Sequence, residues 1–350
     1  MAKTFRHLYE QVVSFENLWR AYEKTRRGKR YQEPAACFDM DAEVNLLQLQ
    51  AELKQQTYRP GAYRHFHIHE PKKRLISAAP FRDRVVHHAL VNVLEPIYEA
   101  RFSEASYACR KGKGTHAAIE RAHWGVRNCG WFLKGDIVKF FPSVDHAVMK
   151  AVLFRRIADP DVQWLIGLIL DSGRGVLDGE RPPAWFAGDD LLTPALRPKG
   201  LPIGNLTSQF SANVLLNELD QFVHREIKPR EYVRYSDDFV LFDADRERLA
   251  DARGRIAAFV AMLRLKCHPS KTCVRPSAHG LKFLGFRLLP QTRRLAREGI
   301  GRFRQRMRRF HRDRSVPAAR VTASVRGWLA HARFGNSEAM IRKVLQDVRV

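Results

Sequence analysis

Cysteine is scarce in this sequence and its spacing carries no pattern. The five cysteines are odd in number and form no Cys-x-x-Cys pair, so neither a disulfide framework nor a zinc ribbon is expected. A reducing cytoplasm is the simple inference for the compartment in which the protein works.

Long hydrophobic runs are also missing. The longest apolar stretch, residues 164–170, is far too short to span a bilayer. The N-terminal residues place His7 and Glu10 among apolar side chains and show no small-residue cleavage site, so no secretory signal is expected.

Acidic residues are few relative to basic ones. The 37 Asp and Glu residues stand against 61 Lys and Arg, and the formal net charge is +24. Such a charge attracts polyanions and speeds their encounter, which makes nucleic acid the leading partner. An anionic membrane is the competing polyanion, but the basic residues are spread through the chain instead of forming one amphipathic helix, so we expect no membrane partner.

Hydrophobic periodicity predicts a mostly helical N-terminal part and mixed structure beyond it. At 350 residues the chain has room for two or three subdomains. Residues 1–60 are expected to be helical, with Val44, Leu47, Leu49 and Leu53 on one face of a helix. Residues 146–170 are also expected to be helical and apolar.

The stretch 232–242 is predicted to form a hairpin with an acidic tip. Two apolar runs, rich in β-branched and aromatic residues, flank Ser236-Asp237-Asp238, which is typical of two antiparallel strands joined by a tight turn. Adjacent carboxylates repel each other, so a fold that holds them between buried strands is expected to neutralise them with cations. A solvated acidic turn is the alternative, because Asp is common in turns.

A second strand-like stretch, residues 131–145, delivers Asp136. Two strands that each bring an acid to one point in a basic chain suggest a two-metal site for phosphoryl transfer. In this hypothesis Asp136 and Asp237 bridge two Mg²⁺ ions, for which Mn²⁺ can substitute, and Asp238 lies beside them. One ion would activate a primer 3′-hydroxyl, and the other would hold the triphosphate of an incoming nucleotide.

These two motifs resemble those of a known family. Tyr235-Ser236-Asp237-Asp238 resembles the Tyr-x-Asp-Asp box of reverse transcriptases, and Asp136 with Phe140-Phe141 resembles their first catalytic block, in the same order and at a similar separation. The resemblance extends from about Phe15 to Phe334. It implies an RNA-directed DNA polymerase with catalytic residues Asp136, Asp237 and Asp238, and with Ile137 as a further metal ligand.

The implied fold is α+β, a right-hand polymerase with fingers, a palm made of an antiparallel sheet on helices, and a helical thumb. The expected parts are N-terminal helices and fingers (1–100), a first part of the palm (101–145), helices and an insertion (146–200), the rest of the palm with the catalytic hairpin and primer grip (201–288), and a basic helical thumb (289–350). No room is expected beyond the thumb for a maturase extension, an endonuclease or an RNase H segment.

The resemblance also implies contacts with the incoming nucleotide. Lys72 and Arg74 match basic positions of the fingers, and Phe141 matches an aromatic that packs against the sugar and excludes a 2′-hydroxyl. Ordinary surface charges and a core aromatic are the respective alternatives. The implied nucleotide-binding set is Lys72, Arg74, Lys139, Phe140, Phe141, Ile203 and Gly204.

Primer and template contacts follow in the same way. Residues 106–115 resemble the Ser-Tyr-Gly-Phe-Arg block of intron-type reverse transcriptases, and residues 281–286 resemble the primer-grip hairpin, with Gly285 allowing close backbone approach. Residues 290–350 hold sixteen Lys and Arg against four Asp and Glu, half of the net charge, and are expected to form the thumb, with a disordered basic tail as the alternative. The implied set is Arg110, Tyr235, Ser236, Ser208, Gln209, Phe283, Leu284, Gly285, Arg302 and Arg306.

One departure from the intron pattern indicates which kind of reverse transcriptase the chain resembles. Intron reverse transcriptases carry Gln-Gly and later Ser-Pro where this chain has Ile203-Gly204 and Ser208-Gln209, and this pattern resembles reverse transcriptases of diversity-generating retroelements. Loss of the Gln side chain removes a polar contact, so selection between bases should weaken. The resemblance then implies that the protein makes cDNA with errors opposite template adenines, from a template-repeat RNA, a DNA or RNA primer and dNTPs. It also implies a small basic oligomeric accessory protein as partner. The protein itself would be encoded by a bacterium, archaeon or phage.

Two alternatives stay open. A retron-like or antiviral reverse transcriptase would use the same metal site on a different RNA. An inactive polymerase relative that serves as an RNA-binding scaffold is the more distant one, and the presence of all three Asp residues argues against it. A second acidic pair, Asp189-Asp190, lacks the flanking strands and shows that two adjacent acids alone are not specific.

Overall fold

A computed structural model describes residues 4–69, 72–180, 184–313 and 315–348. The helices are α1 (Tyr9–Val13), α2 (Phe15–Arg26), α3 (Glu33–Met40), α4 (Ala42–Lys54), α5 (Phe81–Glu99), α6 (Thr115–Asn128), α7 (Phe140–Ser143), α8 (His146–Phe154), α9 (Pro160–Ser172), α10 (Thr193–Leu196), α11 (Leu206–Phe222), α12 (Arg246–Met262), α13 (Arg297–Arg312), α14 (Ala318–Ala332) and α15 (Glu338–Val348). The strands are β1 (Arg64–Ile68), β2 (Arg74–Ala78), β3 (Trp131–Gly135), β4 (Glu231–Tyr235), β5 (Asp238–Asp243), β6 (Cys273–Pro276), β7 (Leu281–Phe283), β8 (Phe286–Leu288) and β9 (Arg293–Leu295).

The predicted mixture of helices and sheets is confirmed. The chain divides into a first unit, built from Met1–Glu104, Ile137–Phe222 and Ala257–Cys267, and a second unit, built from Ala105–Asp136, Val223–Ile256 and His268–Val350. Among the described helices, none combines the length and the apolar character that crossing a membrane requires.

Helix α5 is the central element of the first unit. Its buried face includes Val86, Leu90 and Leu94, which recur at helical spacing, and helices α1, α2, α3 and α11 pack around it. The antiparallel hairpin of β1 and β2 precedes this helix, with Phe66 paired to Ile76.

One expectation for the first unit needs correction. Helix α4 buries Leu46, Leu49 and Leu53, whereas Val44 and Leu47 are 63% and 49% exposed, so the predicted apolar face was rotated by about one residue. The helical structure expected over residues 146–170 is present as two helices, α8 and α9. They separate because Asp159 caps a new helix by accepting hydrogen bonds from the backbone N–H groups of residues 161 and 162, and Pro160 begins it.

The second unit is built on an antiparallel sheet of four strands in the order β4-β5-β3-β6. Helix α6 packs on this sheet, and Gly125 permits the close approach because a Cβ there would lie 2.6 Å from the ring of Phe242. A second antiparallel sheet, β7-β8-β9, joins the same core; its third strand, β9, was not predicted.

The basic C-terminal segment is a packed group of helices, as predicted, and the alternative of a disordered tail does not hold for its described residues. Helix α13 buries Phe303 and Met307, and both α14 and α15 contact it. The ring of Phe303 stacks on Trp328 of α14, with 4.1 Å between the ring centroids and 9° between the planes. Such a helix keeps one face in an apolar core and leaves its arginines on the other.

Candidate active site

The acidic hairpin forms as the sequence predicts. Strands β4 and β5 pair in antiparallel register with Tyr235 opposite Asp238, so that Ser236 and Asp237 make the turn. Ser236 takes a positive φ of 57°, which is uncommon for a residue with a side chain and marks a sharply bent turn. The turn therefore presents Asp237 at its tip and Asp238 at the start of the returning strand.

Asp136 lies at the same end of the sheet. Strand β3 runs antiparallel to β5 with Gly135 opposite Phe239, so the residue after β3 and the residues before Phe239 meet at one edge. A Cβ on Gly135 would overlap the ring of Phe239, so this position requires glycine for close packing next to the acid. Asp136 is about a hundred residues before Asp237 and Asp238 in the chain, and the sheet brings the three together within the second unit.

Two lysines are paired with these carboxylates. The ammonium of Lys271 lies 2.5 Å from Oδ2 of Asp136, and the ammonium of Lys134 lies 3.6 Å from Oδ1 of Asp238. These ion pairs were not predicted from the sequence. For Lys134 a signal existed, because residues two apart on a strand share a face and Lys134 is two residues before Asp136.

The electrostatics of the two hairpin acids reflect burial and mutual repulsion. Burial raises the pKa of Asp237 above its usual range, and the charges of Asp238 and Asp136 raise it further. Burial also raises the pKa of Asp238; Lys134 opposes this shift and Asp136 adds to it. Both carboxyls would therefore ionise more readily if further positive charge stood beside them.

The donor chemistry of the site fits divalent cations. Carboxylate oxygens are the ligands that Mg²⁺ prefers, and repulsion between these acids is what a bound cation would relieve. As the side chains stand in the described part of the chain, no three His, Cys, Asp or Glu residues close around one point. Asp136 is instead held by Lys271, so its carboxylate would have to exchange the ammonium for an ion.

Ile137, the predicted further ligand, belongs to the first unit. It forms an isolated antiparallel bridge with Cys267, flanked by a 2.9 Å hydrogen bond from the N–H of Val138 to the carbonyl of Lys266. In such a non-hydrogen-bonded pair the residue's own carbonyl points away from its partner, so it is free of that bridge. Its role as a metal ligand stays a prediction.

The two aromatic residues after Asp136, Phe140 and Phe141, differ in their exposure. Phe140 is 2% exposed and therefore belongs to the core of the first unit, whereas Phe141 is half-buried and packs edge-on against it, with ring centroids 5.4 Å apart. The predicted contacts of Phe140 and Phe141 with a nucleotide stay predictions. Lys139 precedes them with a left-handed φ of 41°, and its ammonium donates to the carbonyl of Glu180.

The loop that carries Ile203 is anchored to strand β2. The backbone N–H of Ser77 donates to the carbonyl of Ile203 at 2.8 Å, and the buried amide of Asn205 donates to the carbonyl of Ser77 at 2.8 Å. Gly204 has a φ of +114°, and a Cβ there would lie 2.8 Å from Ile76. Asn205 was not predicted, although its place before helix α11 is a usual position for an anchoring amide.

Other predicted contacts of the first unit differ in accessibility. Lys72 and Arg74 are exposed at the β1–β2 hairpin, of which Glu70 and Pro71 lie outside the described residues. Gln209 is exposed on helix α11, whereas Ser208 is 4% exposed, and the contacts of both residues with primer or template stay predictions.

The predicted template segment is attached to the catalytic hairpin. Ser106 bridges Arg234 of β4 in parallel orientation, and the hydroxyl of Thr115 donates to the hydroxyl of Tyr235 at 3.1 Å. Arg110 donates to the carbonyl of Ser106 at 3.0 Å and stays half-buried. Whether these residues contact nucleic acid stays a prediction.

The predicted primer grip is a tight hairpin. Leu284 and Gly285, with φ of 46° and 87°, form the two-residue turn between β7 and β8, a conformation that favours glycine. Phe283 is 2% exposed, so its side chain fills the core and only the turn can approach a primer. On the thumb, Arg302 is half-buried, and Arg306 donates to the hydroxyl of Ser324 at 3.3 Å.

The second acidic pair is structural. Asp189 forms an ion pair with Arg197, which holds the pKa of Asp189 below its usual range. Asp190 accepts hydrogen bonds from the N–H groups of Leu192 and Thr193 at 2.9 and 2.7 Å. Hydrogen bonds within the local loop thus hold the pKa of Asp190 below its usual range as well, whereas burial raises the pKa of Asp237 and of Asp238.

Comparison with protein families identifies the class. The family described as reverse transcriptase (RNA-dependent DNA polymerase) matches residues 67–288, more than half of the chain. The chain therefore belongs to the reverse transcriptase family, and the prediction of an RNA-directed DNA polymerase is confirmed at this level.

Individual proteins similar to this chain include bacterial proteins and proteins named for introns. The chain is similar to Protein YkfC of Escherichia coli strain K12, with 27% identity over 289 residues that cover 70% of this chain and 71% of that protein. It is 25% identical over 227 residues to Group II intron-encoded protein LtrA of Lactococcus lactis subsp. cremoris, covering 63% of this chain and 36% of that protein. It is 30% identical over 185 residues to Nuclear intron maturase 1, mitochondrial, of Arabidopsis thaliana, covering 42% of this chain and 26% of the maturase. The alignments thus span well under half of the two intron proteins.

Proposed function

We propose that this protein copies RNA into DNA by two-metal phosphoryl transfer at Asp136, Asp237 and Asp238. The observation that carries the proposal is the convergence of these carboxylates at one edge of the sheet, where burial, and then the charges of Asp238 and Asp136, raise the pKa of Asp237. Two Mg²⁺ ions, when bound, would activate a primer 3′-hydroxyl and stabilise charge on the triphosphate, and Mn²⁺ could replace them.

The chain's own residues would hold and orient the reactants. Asp136, Asp237 and Asp238 would hold the ions, with the carbonyl of Ile137 as a further oxygen ligand. Exposed Lys72 and Arg74 would bind phosphate oxygens of the incoming nucleotide. Because the half-buried ring of Phe141 rests on buried Phe140, it could select against a 2′-hydroxyl without moving.

In this proposal the parts of the chain take the roles of a right hand. The β1–β2 hairpin belongs to the fingers, the four-stranded sheet to the palm, the β7–β8 turn to the primer grip, and helices α13 to α15 to the thumb. The arginines of α13 would bind phosphates of the template and primer without sequence preference.

We further propose the diversity-generating type, in a cytoplasmic setting with a small basic oligomeric accessory protein. Support comes from Ile203-Gly204, where an aliphatic side chain stands on a loop whose Ile203 carbonyl accepts a hydrogen bond from the N–H of Ser77, while the side-chain amide of Asn205 donates to the carbonyl of Ser77. A rigid loop without a polar side chain offers shape but few hydrogen bonds for choosing a base.

The test is the sequence of the product. The protein is given a defined adenine-rich RNA template, a primer and all four dNTPs, with and without candidate accessory proteins, and the cDNA is sequenced. Errors concentrated opposite adenines support the proposed type, and a uniform low error rate contradicts it. Faithful cDNA would instead favour a retron-like or antiviral enzyme, and RNA binding without any cDNA would favour a scaffold.

A further inference from the structure

An arginine is among the largest fully buried side chains of the described residues. Arg234 is 0% exposed in strand β4, two residues before the turn that carries Asp237. Taking a guanidinium out of water is costly unless hydrogen bonds and charges compensate for the lost hydration. A buried arginine at this place is therefore expected to make specific contacts that an apolar side chain could not make.

One contact is with the catalytic turn itself. Nη1 of Arg234 donates to the carbonyl oxygen of Ser236 at 3.1 Å. That carbonyl shares a planar peptide group with the N–H of Asp237, so holding it fixes the plane from which the Asp237 side chain departs. Ser236 adopts a φ of 57°, which a residue with a side chain rarely takes without support from its surroundings.

The other contacts hold Arg234 in place. Nη2 of Arg234 donates to the hydroxyl of buried Ser106 at 2.9 Å. The backbone N–H of Arg234 donates to the carbonyl of Ala105 at 2.7 Å, and the N–H of Tyr107 donates to the carbonyl of Arg234 at 2.9 Å. Both the backbone and the guanidinium of Arg234 are thus hydrogen-bonded to residues 105–107, and the guanidinium also contacts the turn.

We propose that Arg234 is a positioning residue that holds the Ser236-Asp237 turn in the conformation that presents the Asp237 carboxylate to a divalent cation. Its guanidinium contacts the turn and Ser106 at once, because the planar group offers several N–H donors at fixed angles. This inference rests on the proposed two-metal function of Asp136, Asp237 and Asp238. Arg234 acts through the turn and has no role in bond making.

The variants follow from the two hydrogen bonds. Arg234→Lys keeps a positive charge but donates from a single nitrogen, so it cannot reproduce the fixed two-point contact. Ser106→Ala leaves the arginine in place and removes only its anchor at the hydroxyl. Arg248→Lys is the matched control, because Arg248 lies on the surface and pairs with Asp243 at the far end of β5.

The experiment measures cation binding separately from catalysis. Mn²⁺ is titrated into the 350-residue protein without nucleic acid, and free Mn²⁺ is followed by electron paramagnetic resonance. The Mg²⁺ concentration that gives half-maximal primer extension and the melting temperature are measured on the same samples. We expect the Mn²⁺ dissociation constant and the half-maximal Mg²⁺ concentration to rise about tenfold in Arg234→Lys and about threefold in Ser106→Ala, as loss of one hydrogen bond to a charged group implies.

Unchanged Mn²⁺ affinity and Mg²⁺ requirement in folded Arg234→Lys would overturn the proposal. If Arg234→Lys does not fold, Ser106→Ala decides, and wild-type Mn²⁺ affinity in that variant overturns it equally. Asp237→Asn separates this inference from the function on which it rests. If Asp237→Asn binds Mn²⁺ and extends primers as wild type does, the two-metal function fails; if it loses both while Arg234→Lys keeps both, only the positioning role fails.

Discussion

Lys271 holds its ammonium 2.5 Å from a carboxylate oxygen of Asp136, the acid that follows strand β3. The lysine comes from the turn before β6, and the backbone N–H of His268 in the same turn donates to the carbonyl of Asp136 at 2.7 Å. A positive charge thus stands where the proposed function requires a metal ion to approach. Cation binding and this ion pair should compete.

Replacing Lys271 with Ala removes the competing charge. Because the Lys271 side chain is 47% exposed, solvent screens the pair, and we expect the Mn²⁺ affinity of the protein alone to rise only about three- to tenfold. Isothermal titration at low salt measures it. Lys282→Ala, which breaks the exposed pair with Glu298, is the control and should leave the affinity unchanged. Weaker Mn²⁺ binding in Lys271→Ala would contradict competition.

Asp237 should lower the stability of the metal-free protein at neutral pH. Its pKa is raised in the folded state, so the folded protein binds a proton more readily than the unfolded chain does between the ordinary and the raised pKa. Stability therefore falls as pH rises through that interval. We expect Asp237→Asn to raise the free energy of unfolding by about 1 kcal/mol at pH 7, with the gain shrinking as pH approaches about 4.

Thermal denaturation in EDTA at several pH values measures this difference. Asp190→Asn is the matched control with the opposite sign, because hydrogen bonds from Thr193 hold the pKa of Asp190 below its usual range. That variant should lose stability at pH 7. A lower melting temperature for Asp237→Asn than for wild type at pH 7 would show that the buried charge of Asp237, beside two other acids, does not lower the stability of the metal-free protein.

Phe141→Ala should admit ribonucleotides. Removal of the half-buried ring opens space while Phe140 keeps the core filled, so we expect discrimination between dNTP and rNTP to fall roughly ten- to a hundredfold. Single-nucleotide incorporation gives kcat/KM for each. Trp19→Ala, which removes a partly exposed ring on helix α2, should not change the ratio. An unchanged ratio in Phe141→Ala would assign Phe141 to the core alone.

Ile203→Gln should change fidelity without changing the fold. The carbonyl of Ile203, which accepts a hydrogen bond from Ser77, is kept in the variant. The new amide can donate to and accept from a nucleotide, so we expect errors opposite template adenines to fall about tenfold or more. Sequencing of the cDNA measures the error spectrum, with Ile203→Val as the apolar control. The same spectrum in wild type and Ile203→Gln would remove Ile203 from the account.

The strands and turns of this molecule that follow from a local pattern of apolar and polar residues could be predicted from the sequence. The hairpin at Asp237 and the strand before Asp136 follow from alternating apolar residues around polar turns, and the structure contains both. Which side chains are accessible could not be predicted in the same way. Phe140, Ser208 and Phe283 are buried because distant elements pack over them, and a motif match carries no information on that packing.

The ion pairs of Asp136 and Asp238 with lysines could not be predicted from the sequence either. Lys271 is 135 residues away from Asp136, and only the antiparallel pairing of β3 with β6 brings its turn beside the acid. Arg234 lies within the most recognisable motif of the chain, yet its burial and its bond to Ser106, 128 residues away, appear only in the structure. Motifs predicted which residues would carry the chemistry of the site. The ion pairs and hydrogen bonds that hold those residues depend on tertiary contacts, which motifs do not describe.

Extension of a DNA primer on an RNA template, with Mg²⁺ and dNTPs, tests the central claim most directly when wild type is compared with Asp237→Asn and Asp190→Asn. The account predicts cDNA from wild type and from Asp190→Asn, whose acid only accepts hydrogen bonds from the N–H groups of Leu192 and Thr193 in its own loop. It predicts a loss on the order of 10³-fold or more in Asp237→Asn, as removal of several kcal/mol of transition-state stabilisation implies. Extension by Asp237→Asn at a rate similar to that of wild type would contradict it.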